Sequence, residues 1–170
     1  MDLGQAEYSE AVRLLLKPKR QMDLGPGTPQ LERRTTLAKL TAEALFAGQP
    51  LSNPKSAQCC LAALWLYHDF LDEAHRISQE IATREGSYWH GIMHRREPDA
   101  WNSKYWFRRV GDHPVMSQLT LEAGQIGYAY RSPFDFIDDC ERYRGTRSEK
   151  EMLLQQVQMV EWRLLFDHCW

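Results

Sequence analysis

Residues of types that bind metal ions recur at helical spacing near the middle of the chain. His90, His94 and Glu97 stand at i, i+4 and i+7, so one face of a helix presents two imidazoles and a carboxylate. His68 and His75, which precede this helix, are available to complete a ligand set. The predicted set of His90, His94, Glu97 and His68 would hold a divalent transition metal ion that activates water for hydrolysis.

A packing role is the alternative interpretation of the same two histidines. In the repeat register given below, His90 and His94 occupy positions that Leu61 and Trp65 fill in an upstream copy, where large side chains pack. Gly91 stands where the HExxH zinc motif has its general base, so that motif is absent. The sequence favours packing, and it predicts no cofactor unless the divalent metal of the alternative is bound.

A basic and aromatic set surrounds these histidines. Lys104 and Arg108 are one helical turn apart, and so are Tyr105 and Arg109. Guanidinium groups bind carboxylates and phosphates through paired hydrogen bonds. The sequence predicts a groove for an acidic small molecule or peptide, lined by Arg95, Arg96, Tyr105, Arg108, Arg109 and His113. Ion pairing with nearby acidic side chains on a solvated face is the alternative.

The composition narrows the class of protein. The chain has 170 residues, of which 43% are hydrophobic and 26% charged, and its formal net charge is −2. These values indicate one globular domain and argue against a nucleic-acid partner bound through bulk charge. No apolar run approaches the roughly 20 residues that span a bilayer. The four cysteines lack CxxC spacing, so we expect a reduced, cytoplasmic protein without a membrane partner.

Apolar residues recur with a helical period almost throughout, and no strand alternation of useful length occurs, which predicts an all-α domain over residues 1–170. We expect N-terminal helices in 1–50, two helical hairpins in 57–114 and C-terminal helices in 115–170. We expect the first helix at Glu7–Lys17, ended by Pro18, and a second helix that begins after Thr28 and Pro29 and stops at Gly48 and Pro50. In the C-terminal part, helices are expected to start at Pro114 and Ser132. A capping box at Ser148 and Glu151 predicts the start of the last helix.

The two hairpins align with an offset of 29 residues, which pairs Ala62 with Gly91, Ala74 with Ser103, Ser78 with Phe107 and Ile81 with Val110. Gly91, Ser103, Phe107, Val110 and Pro114 resemble the small, small, aromatic, small and proline positions of a tetratricopeptide-type or Sel1-type repeat. That resemblance implies a repeat-like helical array over about a third of the chain. The segment WHGIMHRREPD…YWFRRVGDHPV is also similar to one shared by an uncharacterised family of bacterial and fungal proteins, which implies no activity.

Two hypotheses for the function follow. The favoured one is a non-enzymatic helical binding module whose basic and aromatic groove takes an acidic ligand or partner. The other is a small helical metal-dependent hydrolase built on His90, His94 and Glu97. Self-association is a third alternative, in which the first or last helix pairs across a homo-oligomer.

Overall fold

The computed structural model describes residues 8–17, 19–47 and 53–170, and every regular element in those ranges is an α-helix. The all-α prediction is therefore confirmed for this part of the chain. None of the described helices combines the length and apolar character that crossing a bilayer requires. The helices are α1 (Glu10–Leu15), α2 (Leu31–Ala38), α3 (Ala42–Leu45), α4 (Pro54–Tyr67), α5 (Leu71–Ser78), α6 (Arg84–Arg96), α7 (Ala100–Val110), α8 (Pro114–Gln125), α9 (Pro133–Tyr143) and α10 (Glu149–Cys169).

Two helical hairpins, α4–α5 and α6–α7, form the centre of the fold, and α5 and α4 both pack against α6. Small residues let α6 and α7 approach closely. A Cβ atom at Gly91 would lie 2.8 Å from the ring of Phe107, and the Ser103 hydroxyl donates a 2.8 Å hydrogen bond to the Gly91 carbonyl oxygen. The small-residue pattern thus has a packing cause: any larger side chain at position 91 would push α7 away.

The long helix α10 lies against α4, α8 and α9 and joins the two buried clusters of the core. Trp162 is buried against α4, where its indole Nε1 donates to the Ala63 carbonyl oxygen at 3.1 Å, and its ring stacks on Phe166 with centroids 4.8 Å apart. Val157 packs in the second cluster with residues of α8 and α9. α10 therefore fixes the hairpins relative to the C-terminal helices.

The helix starts predicted in the C-terminal half are present. Ser132 accepts the Asp135 amide hydrogen, and Ser148 accepts that of Glu151 at 3.2 Å. The Glu151 carboxylate, however, accepts from the amides of Gly145 and Arg147 and not from the N-cap residue. The predicted capping box is thus only half formed, because the carboxylate instead satisfies donors in the turn that precedes the helix.

The N-terminal prediction needs correction. The single helix expected after Thr28 and Pro29 is two short helices: α2 begins at Leu31, and α3 begins after Thr41, whose hydroxyl caps the Ala44 amide. The amide of Gln30 donates to the carbonyl oxygen of His68, which keeps the preceding residues out of the helix. α1 ends at Leu15 and not at Lys17. The boundary signals at Glu7, Pro18, Gly48 and Pro50 lie outside the described residues.

Candidate metal centre

Three imidazoles converge between the two hairpins. His75 comes from α5, and His90 and His94 come from adjacent turns of α6. One donor nitrogen from each ring lies within 4.8 Å of those of the other two. His90 and His94 stack at 4.8 Å, with a 13° interplanar angle, because residues at i and i+4 share one helix face. The His75 ring lies 4.7 Å from His90 and 5.1 Å from His94, measured between centroids.

Three imidazole nitrogens of this cluster, both of His90 and Nδ1 of His94, are buried without a hydrogen-bond partner among the described residues. His90 is 2% exposed, and neither of its ring nitrogens has a hydrogen-bond partner among the described residues. A buried polar atom that makes no hydrogen bond costs free energy, so most such atoms in folded proteins are paired with protein, water or an ion. His75 is only half-buried, so the cluster reaches the surface along α5.

Glu97 lies behind His94. Its Oε2 atom is 3.2 Å from His94 Nδ1, within ion-pair distance although the angles of a hydrogen bond are not met, and Asp99 Oδ2 is 4.0 Å from the same nitrogen. Burial raises the pKa of the Glu97 carboxyl. Burial also lowers the pKa of His94, and lowers that of His90 to about 3. Both imidazoles are therefore neutral at pH 7, the form that binds a metal ion.

Trp106 of α7 closes one side of the cluster. Its ring stacks on His90 with centroids 4.0 Å apart and an interplanar angle of 17°. The guanidinium carbon of Arg109 lies 5.2 Å from the Trp106 ring centroid. His90 is thus held by helix geometry and ring stacking, while neither of its nitrogens has a hydrogen-bond partner among the described residues.

Two residues of the predicted ligand set, His68 and Glu97, are not among the three converging residues. His68 is buried after the last residue of α4, where its Nδ1 lies 2.6 Å from the Gln30 side-chain oxygen, and it does not belong to the cluster. His75 takes its place. The sequence carried a signal for this: His75 is four residues after Leu71 and three before Ser78, both buried, so it borders the buried face of α5.

A second group, Glu85, His113 and His168, also brings its donor atoms within 4.8 Å of one another. His113 Nδ1 accepts the Val115 amide hydrogen at 3.3 Å and so caps α8. The neutral ring must then carry its proton on Nε2, which faces Glu85 Oε1 at 3.5 Å. Because that proton would have to leave before Nε2 could bind a metal ion, this group is better suited to hydrogen bonding.

Three of the predicted groove residues are buried. Arg96 is fully buried, and its guanidinium donates to the carbonyl oxygens of residues 23, 25, 26 and 66 and to Asp69 Oδ1 at 2.5 Å. Arg95 is buried beside Glu161, with a 2.5 Å ion pair. His113, at 4% exposure, is buried as the cap of α8. None of the three can line a solvent-open groove.

The remaining groove residues lie on two sides of α7. Arg108 lines a pocket of about 490 Å³ that is bounded by α8 and by the start of α9. Arg109 lies instead over Trp106 and, at 6.0 Å, over the ring of Tyr105. Tyr105 is 41% exposed and stacks on Trp101. The predicted groove is therefore not one surface; Arg109 and Tyr105 both contact Trp106, whose ring stacks on His90.

A separate pocket of about 370 Å³ lies between residues 16–21, the end of α4 and α10. Its floor includes Trp162, and its rim includes Arg20 and Arg163. Arg20 pairs with Asp69 and Arg163 with Glu122, so those two cations are already neutralised. This pocket gives no comparable sign of a charged ligand.

The chain matches no protein-family model, and neither the curated proteins nor the solved structures contain a significant match. The residues and their geometry are therefore the basis of the function proposed below.

Proposed function

We propose that the protein binds one divalent transition metal ion, with zinc the first candidate, through His75, His90 and His94. The observation that carries the proposal is the convergence of three imidazoles, including a buried ring with both nitrogens unpartnered. Imidazole is a preferred ligand of zinc, nickel, copper and iron. Zn–N bonds of about 2.1 Å place tetrahedral ligand nitrogens about 3.4 Å apart, so small side-chain rotations would close the set.

Glu97 supports the proposal as an orienting carboxylate and not as a ligand. Metal-binding histidines commonly donate their second ring N–H to a carboxylate, which fixes the tautomer and raises the basicity of the ligand nitrogen. Glu97 Oε2 lies 3.2 Å from His94 Nδ1, which leaves Nε2 for the metal. Asp99 adds a second negative charge at 4.0 Å. Glu97 would thus orient His94 without binding the metal ion itself.

Three protein ligands leave a fourth position for water or substrate, as in catalytic rather than structural zinc sites. Metal-dependent hydrolysis is therefore the second candidate function, and the observation that favours it is the half-buried edge of the cluster at His75. Hydrolysis of a p-nitrophenyl ester by the zinc-loaded protein, and its loss in His90→Phe, would be the expected result. Equal rates in the two proteins would remove this candidate.

The repeat-like character of the hairpins belongs to the same proposal. We infer that α4–α5 and α6–α7 are two copies of a tetratricopeptide-like unit, offset by 29 residues. Ala74 and Ser103, paired in that register, are both buried small residues on the second helix of their hairpin. The histidines meet where α5 of the first copy packs against α6 of the second, so a cytoplasmic metal-binding module of this kind would place its site between repeats.

Metal content and zinc titration test the proposal. Protein purified without chelator is analysed for metals, stripped, and titrated with Zn²⁺ by calorimetry. The wild type is expected to bind one equivalent, and His75→Phe and His90→Phe to lose it, since phenylalanine keeps the aromatic packing but offers no ligand. His168→Gln, from the second histidine group, is the matched control and should still bind. Absence of stoichiometric binding in the wild type, or loss only in the His168 variant, would overturn the assignment.

A further inference from the structure

We propose that the metal centre takes a small dicarboxylate, with one carboxylate on the metal ion and the other on Arg109. This inference rests on the proposed function, because it assigns the ligand of the same site. Trp106 connects the two groups, because its ring stacks on His90 and the Arg109 guanidinium also lies over it.

The Trp106 ring contacts both the histidine cluster and the Arg109 side chain. Its centroid lies 4.0 Å from that of the His90 ring and 5.2 Å from the Arg109 guanidinium carbon. Contact with the rings of Trp106 and Tyr105 limits the conformations of this long side chain. The Arg109 guanidinium is therefore held beside Trp106, which itself contacts the proposed metal ligand His90.

The Arg109 guanidinium is a cation without an acidic partner among the described residues. Arg109 is exposed and has no carboxylate within ion-pair distance in the described ranges, whereas Lys104 on the same helix pairs with Asp138 at 2.5 Å. A guanidinium that lies over aromatic rings can still direct its N–H groups to a carboxylate, which it binds with two parallel hydrogen bonds. Arg109 is thus placed as a charged recognition group without a carboxylate partner among the described residues.

The metal ion would bind the carboxylate of the ligand that Arg109 does not contact. A carboxylate oxygen can occupy the position that three histidines leave open. A ligand with two carboxylates joined by two or three methylenes could contact the metal and the guanidinium at once, and Trp106 would pack against its methylenes. Monocarboxylates would make one of the two contacts and so bind more weakly.

The cobalt-substituted protein provides the test, because visible d–d bands change when an anion enters the coordination sphere. Succinate and glutarate are titrated against butyrate, a monocarboxylate of similar size. We expect the better dicarboxylate to bind at least about tenfold more tightly than butyrate, which matches the net worth of one charge-assisted hydrogen bond or more. In Arg109→Gln the preference should disappear, while the affinity for Co²⁺ stays within about twofold of wild type, since Arg109 is no ligand.

Arg108→Gln is the matched control. Arg108 is also exposed and lies next in sequence, but it faces the pocket bounded by α8 and α9. Its variant should keep the dicarboxylate preference. A preference retained in Arg109→Gln, lost equally in Arg108→Gln, or absent from the wild type would overturn the inference while leaving metal binding intact. Failure of the wild type to bind cobalt at all would instead overturn the proposed function, and this inference with it.

Discussion

The two sets of buried polar side chains on α6 use their hydrogen-bonding atoms in opposite ways. Arg96 is fully buried and its guanidinium makes six contacts, to four carbonyl oxygens, the Asp69 carboxylate and the Met22 sulfur. His94 and His90, two and six residues earlier, are almost as buried, but three of their ring nitrogens have no hydrogen-bond partner in the described part of the chain. The first set holds the fold together, and the second is available to a ligand.

The contacts of Arg96 explain what it stabilises. It joins the loop of residues 22–26 to the end of α4, and Asp69, at a φ of 64°, turns the chain there so that its carboxylate faces Arg96 and Arg20. Gly27 is required beside them, because its φ is +71° and a Cβ atom would lie 2.6 Å from the Asp69 carboxylate. Removal of a partner from such a centre leaves buried polar groups uncompensated.

The largest effect should come from Arg96→Met. The substitution leaves carbonyl oxygens and Asp69 without their donor, and we expect a loss of about 3–5 kcal/mol in the free energy of unfolding, measured by urea denaturation. Arg109→Met, at the surface, should change it by less than about 0.5 kcal/mol. An Arg96→Met protein whose free energy of unfolding lies within about 1 kcal/mol of wild type would show that the contacts of Arg96 do not hold the fold together.

The pH dependence of stability should show the cost of charging a buried histidine. Burial lowers the pKa of His68 from 6.5 to about 4 in the folded protein. Between these values the unfolded chain binds the proton and the folded chain does not, so stability falls as pH drops from 6.5 to 4.

The loss attributable to His68 should reach about 3 kcal/mol, and His68→Gln should reduce the fall in unfolding free energy between pH 6.5 and 4 by about that amount. His168→Gln, which changes an exposed ring, should leave the fall near that of wild type. Parallel curves for His68→Gln and wild type would contradict the prediction.

Zinc should stabilise the wild type and not the cluster variant. At a free zinc concentration one hundred times the dissociation constant, linkage gives about 2.7 kcal/mol of added stability. The midpoint of thermal unfolding should therefore rise with zinc in the wild type and stay constant in His90→Phe. An equal rise in both proteins would place the metal elsewhere, and zinc titration of His168→Gln would locate it.

The smallest effect is expected for His90→Phe in the absence of metal. Because neither nitrogen of His90 is paired, an aromatic ring without polar atoms should change the free energy of unfolding by less than about 1 kcal/mol or increase it. His68→Phe, which breaks the contact with Gln30, should cost about 1–3 kcal/mol. Urea denaturation of the two metal-free variants compares a histidine that contacts Gln30 with one whose nitrogens have no partner among the described residues. Equal losses of unfolding free energy would contradict the prediction.

Much of the fold could be predicted from the sequence because its signals are local. The helix starts at Pro114 and at Ser132 with Pro133, and the approximate limits of the four hairpin helices, follow from caps, prolines and the helical period. The start of α2 at Leu31, and not directly after Thr28 and Pro29, could not be predicted in the same way, since the Gln30 amide donates to the His68 carbonyl oxygen across 38 residues. Local signals fail where a distant partner competes for the backbone.

The residues of the candidate site also differ in whether the sequence or only the tertiary structure places them. The sequence by itself determined that His90 and His94 share a helix face, because that follows from the period of the α-helix. Only the tertiary structure decided that His75 joins them and His68 does not, and that Arg95 and Arg96 are buried while Arg109 is exposed. Adjacent basic residues look alike in sequence, and the packing of loop 22–26 and of α10 around the end of α6 separates their roles. Burial and pairing depend on the surrounding elements, which residue spacing does not specify.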